Sequence, residues 1–215
     1  KIVFLSNAPR PSLKVVEFLR RLKMDNKFLS KVITSGEAAM YAINNHKFGK
    51  KFYHLGPPRD ESIFEKVLEN KTSLERCDFI VCTGLFDDQG EDLNYYKELL
   101  MDYTSKKLIC TNPDLIVHRG DAEELCAGSI AKTFELLGGE VVYYGKPYKE
   151  IYEMCFLKGE KVLAIGDNLR TDIKGANNLN IDSLFVYSGV HRNEIKNIDD
   201  LPALLKKYNV KTNFF

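Results

Sequence analysis

The sequence predicts an α/β protein built on parallel sheet. Three observations carry that expectation. Short β-rich runs alternate with amphipathic helical patterns along the chain, the order that parallel strands with crossover helices produce. Several runs, such as Val162-Leu163-Ala164-Ile165, are almost continuously apolar, as strands covered on both faces are. Hydrophobic residues make up 44% of the 215 positions, enough to build a sizeable core in one large or two small domains.

The strand-like runs, in order, are 1–5, 51–55, 78–83, 107–111, 141–144, 162–165 and 181–186. Ser12 is placed to cap a helix whose apolar positions Val15, Phe18, Leu19 and Leu22 recur at helical spacing. Thr34-Ser35-Gly36-Glu37 has the form of a capping box and opens a helix through Ala38, Ala39 and Ile43. A further helix is expected over about 122–137, stopped by Gly138-Gly139. Pro147 and Pro202 stand where a first-turn proline is tolerated. The expected organisation is a core module at 1–46 and 140–215 with a second module, 47–139, inserted between its halves.

Charge and composition exclude several classes of function. Lys+Arg and Asp+Glu number 31 and 30, so a net charge of +1 gives no electrostatic reason to expect nucleic acid or an anionic membrane as partner. No apolar run approaches the roughly 20 residues that span a bilayer. The five cysteines form no C-x-x-C pair, which fits a reducing cytoplasm better than a disulfide framework. The four histidines lack metal-site spacing. The chain opens Lys1-Ile2-Val3-Phe4-Leu5, already inside an apolar strand, and an upstream segment is expected on that ground.

Chemistry concentrates at three places. In Ala164-Ile165-Gly166-Asp167-Asn168-Leu169-Arg170-Thr171-Asp172, a carboxylate directly follows an apolar strand. That position projects into the crevice at the carboxyl ends of a parallel sheet. A hard oxygen there suits Mg²⁺, which takes one or two carboxylates and completes its octahedron with water and phosphate oxygen. Asp172 is placed to start the next helix and to orient the loop, or to act as a simple N-cap. Second, Phe4-Leu5-Ser6-Asn7-Ala8-Pro9 ends a strand in a small hydroxyl residue, which can hold phosphate oxygens or simply form a turn. Third, in Tyr144-Gly145-Lys146-Pro147 a lysine between a strand end and a proline can neutralise a transferring phosphoryl group.

In this order the three motifs resemble the haloacid-dehalogenase-like hydrolases. Ser6 resembles the motif II hydroxyl, Lys146 the motif III lysine, and Gly166-Asp167-Asn168 with Asp172 the motif IV acidic cluster. The phrases Cys110-Thr111-Asn112-Pro113-Asp114, Gly145-Lys146-Pro147 and Ser188-Gly189-Val190 resemble subclass IIA, the NagD-like and 4-nitrophenyl-phosphatase-like group. The resemblance implies a Rossmann-like parallel-sheet core with an inserted α/β cap. It also implies Mg²⁺-dependent hydrolysis of a small phosphorylated metabolite through an aspartyl-phosphate. Ser6, Lys146 and Asp172 would serve the chemistry, Asp167 the metal, and Asn7, Asn112 and Asp114 the substrate. A homo-oligomer is compatible with it.

The family's motif I, Asp-x-Asp after an apolar strand, is not found among the 215 residues. Its first Asp is the nucleophile and its second the general acid and base. The sequence therefore leads to the expectation of an active hydrolase seen through an incomplete chain, with no turnover from residues 1–215 alone. The alternative is a catalytically inactive relative that kept the fold as a binding or regulatory protein. Dinucleotide binding has little support, because no G-x-G-x-x-G follows a strand.

Overall fold

The computed structural model describes every residue except Asp121, and at Arg119 the backbone alone. The chain divides into two compact units, Lys1–Gly145 and Lys146–Phe215.

In the first unit β1 (Phe4–Ser6) leads through α1 (Ser12–Arg21) to β2 (Val32–Thr34), which pairs with β1 in parallel, Ser6 opposite Thr34. Helix α2 (Ser35–Asn44) follows at once, and its N-terminus is capped by Thr34, whose Oγ1 accepts from Glu37 N at 3.3 Å. Ser12 is not a cap. It is the first residue of α1, with Pro11 before it, and its hydroxyl donates to Glu37 Oε1 at 2.8 Å. No residue of α1 is fully buried, and Leu13, Phe18 and, just past its end, Leu22 are exposed.

The centre of this unit is a four-stranded parallel sheet of order β3 (Phe52–Leu55), β4 (Phe79–Cys82), β5 (Lys107–Cys110), β8 (Glu140–Tyr143). Alternate residues face opposite ways along each strand. Leu55, Ile80, Cys82, Leu108 and Cys110 pack with Tyr96 and Leu100 of α3 (Leu93–Leu100) and with Ala127, Ile130 and Phe134 of α4 (Ala127–Leu136). Phe52, Phe79, Val81 and Ile109 pack on the other face against Ala39, Met40 and Ile43 of α2.

Two expectations are corrected here. The strand at Glu140–Tyr143 pairs with Lys107–Cys110, so it belongs to this sheet and the boundary expected after residue 139 falls inside it. The helix expected from about residue 122 begins at Ala127 instead. Residues Ala122–Leu125 form β7, the antiparallel partner of β6 (Ile116–Arg119). Gly120 at φ +62° lies in the turn between those strands, a conformation glycine adopts without steric cost. The far end of α4 is as expected, with Gly138 at φ +90° just past it.

In the second unit Pro147 is not in a first helical turn as expected but stands one residue before Tyr148, the N-cap of the short α5 (Lys149–Glu153). Strand β9 (Leu163–Gly166) pairs in parallel with β10 (Asp182–Phe185). Between them lie a single π-helical turn (Leu169–Ile173) and α6 (Lys174–Leu179). The core of this unit gathers Leu169, Ile173 and Phe185 with Leu201 and Leu204 of α7 (Leu201–Tyr208). The outer edge of β10 is covered by residues 213–214, where Phe214 N donates to Ser183 O and Phe185 N to Phe214 O. Strand β9 is not covered on both faces as its apolar run suggests, for Leu163 and Ile165 are 46% and 65% exposed.

Candidate active site

The predicted residues divide between the units. Ser6, Asn7, Asn112 and Asp114 lie in the first, and Lys146, Asp167 and Asp172 in the second.

Ser6 ends β1 at the carboxyl edge of its strand pair, and its Oγ accepts from Ala8 N at 3.1 Å, a local turn that fixes the hydroxyl. The loop after it is clamped. Gly36 N donates to Ala8 O at 3.1 Å, and a Cβ on Gly36 would stand 2.5 Å from the Pro9 carbonyl, so only glycine lets α2 approach this closely. Asn7 is buried, and its Nδ2 donates to Asp114 Oδ1 at 3.2 Å. Asn112, past the end of β5, accepts from Asp114 N at 3.1 Å through its Oδ1. A Cβ on Gly145 (φ +125°) would fall 2.6 Å from Ser35 Oγ and 2.7 Å from both Asn7 Oδ1 and Pro113 Cδ. The segments carrying Asn7, Pro113 and Gly145 therefore meet at one point. Asn112 thus makes a side-chain turn with Asp114 N.

In the second unit Asp172 is the organising carboxylate. Its Oδ2 accepts from Asp167 N at 3.1 Å and Asn168 N at 3.0 Å, and its Oδ1 accepts from Lys146 Nζ at 2.6 Å. Both members of that ion pair are largely shielded, with side chains 16% and 12% exposed, so the Coulomb attraction is less screened than at a surface. Gly166 makes room for this arrangement, since a Cβ there would lie 2.3 Å from Asp172 Cβ. Asp172 sits within the π-helical turn, the irregular backbone that brings its side chain back over the strand end. Asp167 is half-buried, and its Oδ2 accepts from Val190 N at 2.9 Å. Gly189 passes so close that a Cβ would be 2.0 Å from that oxygen.

Asn168 Oδ1 accepts from Arg170 N at 2.9 Å, and His191 holds the next residue, its Nε2 accepting from Leu169 N at 3.1 Å. That assigns the proton to Nδ1, which donates to Glu194 Oε1 at 2.6 Å. Burial lowers the His191 pKa below its ordinary value despite Glu194 beside it. For Glu194, burial pushes upward, but hydrogen bonds from Lys207, His191 and Tyr208 outweigh it and hold the carboxyl at about 2. Sequence reading missed this support behind the Asp167 loop, because His191 has no motif spacing.

It also missed Arg10 and Asp60. Arg10 Nε donates to Asp60 Oδ1 at 2.7 Å, and Asp60 is 2% exposed in the turn after β3. A charged Arg four residues past Ser6 was the available signal. The partner, fifty positions away, had none.

Residues 143–206 match the HAD-hydrolase-like family model. A haloacid-dehalogenase-like hydrolase from Brucella suis 1330 superposes with a TM-score of 0.81 at 33% identity, over 88% of this chain and 74% of that one. The chain belongs to the haloacid-dehalogenase-like family. The ribonucleotide monophosphatase NagD of Escherichia coli (strain K12) is 31% identical over 100 residues, which are 45% of this chain and 38% of NagD. The match therefore spans well under half of that curated relative's length. A 4-nitrophenylphosphatase from Thermotoga maritima superposes with a TM-score of 0.68 at 25% identity, over 99% of this chain and 79% of that one. These relatives place the chain with subclass IIA, and the parallel-sheet α/β architecture expected from the sequence is present in this chain.

Proposed function

We propose that this protein hydrolyses a small phosphate monoester in a Mg²⁺-dependent reaction through an aspartyl-phosphate. The observation that carries the reading is Asp172, which ties Lys146 and the backbone of the Asp167 loop to one carboxylate at the end of β9. A scaffold has no need to shield a lysine–carboxylate pair there.

Asp167 fits a magnesium ligand. It offers a hard carboxylate at a strand's carboxyl end, the donor that Mg²⁺ takes together with water and phosphate oxygen. Bound Mg²⁺ would neutralise charge on the phosphoryl oxygens. Lys146, held by Asp172, supplies a second positive charge to those oxygens, and Ser6 is carried over from the resemblance as the motif II hydroxyl. The attacking carboxylate is the family's motif I aspartate, a motif not found among these 215 residues. The segment from 47, which the strand pairing extends past 139 to Tyr143, serves as the cap that selects the substrate. Asn112 and Asp114 are its substrate-side residues, and Asn7, whose Nδ2 donates to Asp114 Oδ1, is a third substrate contact.

The test is Asp167→Ala in protein made from its complete reading frame. Mg²⁺-dependent hydrolysis of 4-nitrophenyl phosphate should fall by at least about 10³-fold, the scale of losing a principal electrostatic stabiliser. Unchanged turnover refutes the assignment. The alternative is a catalytically inactive binding or regulatory protein of the same fold. That reading predicts ligand binding without turnover in the same assay.

A further inference from the structure

We propose that His191 is a positioning residue for Asp167, fixing the loop that carries this carboxylate so that one of its oxygens stays open to a cation. The inference rests on the phosphatase reading above and deepens it.

Four successive backbone N–H groups follow β9, and three of them are satisfied within the motif itself. Asp172 Oδ2 accepts from Asp167 N and Asn168 N, and Asn168 Oδ1 accepts from Arg170 N. Leu169 is the exception. As the first residue of the π-helical turn it has no carbonyl of an earlier turn to donate to, and it is 0% exposed, so bulk water cannot serve. His191 Nε2 meets this donor at 3.1 Å from 22 positions away. The ring accepts there only with Nε2 bare, and Glu194 Oε1 enforces that tautomer by accepting from Nδ1 at 2.6 Å. The ring itself is fully buried and stands edge to face with Tyr208, centroids 4.8 Å apart. Tyr208 donates its hydroxyl to the same Glu194 and accepts from Arg170 Nη2 at 2.9 Å, so the acceptor is braced from α7.

The neighbouring residue holds the Asp167 side chain. Val190 N donates to Asp167 Oδ2 at 2.9 Å, whereas Asp167 Oδ1 has no hydrogen bond among the described residues. Backbone and carboxylate of the loop are thus fastened to two consecutive residues of one strap. Removing the ring nitrogen leaves a buried N–H unsatisfied, a cost the loop can lower only by turning Leu169 N toward another acceptor. That turn carries Asp167, two residues away, off its bond to Val190. His191 therefore acts through Leu169 on where the carboxylate points.

The experiment is a Mg²⁺ titration of protein from the complete reading frame, followed by the amide NMR shifts of Asn168 and Leu169. The half-saturating Mg²⁺ for hydrolysis of 4-nitrophenyl phosphate is measured beside it. His191→Phe, which keeps a ring but no acceptor, should weaken Mg²⁺ binding about 10-fold in both readouts, with kcat at saturating Mg²⁺ nearly kept. His191→Gln, whose amide oxygen can accept from Leu169 N while its NH₂ donates to Glu194, should bind Mg²⁺ as the parent does. In the parent, the ring nitrogen shifts should place the proton on Nδ1. A proton on Nε2 overturns the assignment, as does parental Mg²⁺ affinity in a folded His191→Phe. A loss in His191→Gln as large as in His191→Phe overturns it too, because the acceptor then does not matter. Should His191→Phe fail to fold, His191→Gln decides alone: parental affinity supports the assignment and a loss overturns it. No Mg²⁺-dependent shift in the parent sinks the metal reading and this inference together, whereas Mg²⁺ binding without turnover sinks only the hydrolase reading.

Discussion

Strands β4 and β9 are both four-residue parallel strands of apolar sequence, Phe-Ile-Val-Cys and Leu-Ala-Ile-Gly, yet they end in opposite environments. All four residues of β4 are at most 1% exposed, whereas Ile165 in β9 is 65% exposed. The difference lies in the neighbours. Strand β4 has β3 on one side and β5 on the other, with helices over both faces. Within its unit β9 has β10 alone. An apolar run states what a strand can bury, and the rest of the fold decides how much it does.

The largest effect that separates the two strands is expected from Ile80→Asp. A carboxylate would replace a side chain that is 0% exposed, with no cation to meet it, and we expect a loss of more than about 4 kcal/mol, enough to unfold the first unit. Urea denaturation followed by circular dichroism reads it directly. A loss under about 1 kcal/mol would mean that β4 is not the sealed centre of its sheet.

A middle-sized effect is set by pH through His54 on β3, the neighbour of β4. Burial, then the nearby Lys71, lowers its pKa from 6.5 to about 4. Its Nε2 lies 2.8 Å from Thr83 Oγ1. The folded state thus prefers the neutral ring, so the stabilisation is full above the unfolded pKa near 6.5 and is lost as pH falls toward 4. The whole span amounts to about 3 kcal/mol. Urea midpoints measured from pH 7 to pH 4 should drop, and His54→Gln should flatten that limb. An equally steep limb in the variant would assign the acid sensitivity elsewhere.

The smallest effect is expected at Ile165→Thr. A side chain this exposed contributes little burial, so stability should change by no more than about 0.5 kcal/mol in the same urea assay. A loss above about 2 kcal/mol would show that β9 is covered in solution and would erase the contrast with β4.

Much of the site was readable because its chemistry is local. Asp167, Asn168 and Asp172 sit within six residues, and their contacts are set by one strand end and one turn. The long strands of the four-stranded sheet were equally legible from their apolar runs. Strand β2 was not, since three residues that end in the capping Thr34 leave little pattern to see. Strand β7 reads Ala-Glu-Glu-Leu, a composition with helical propensity that pairing with β6 overrides. The membership of Glu140–Tyr143 and the Arg10–Asp60 bond both depend on partners more than thirty positions away. Single-sequence periodicity carries no such information.

The segment laid along β10 has a practical consequence. Asn213 and Phe214 occupy backbone groups that would otherwise be an open strand edge, the kind that recruits strands from other molecules. Asn213 Oδ1 also accepts from Ser183 N at 3.0 Å, so the closure uses a side chain as well as the main chain. A deletion that removes Asn213 and Phe214 would reopen this edge. Protection of this strand edge therefore depends on a few residues that form no strand of their own.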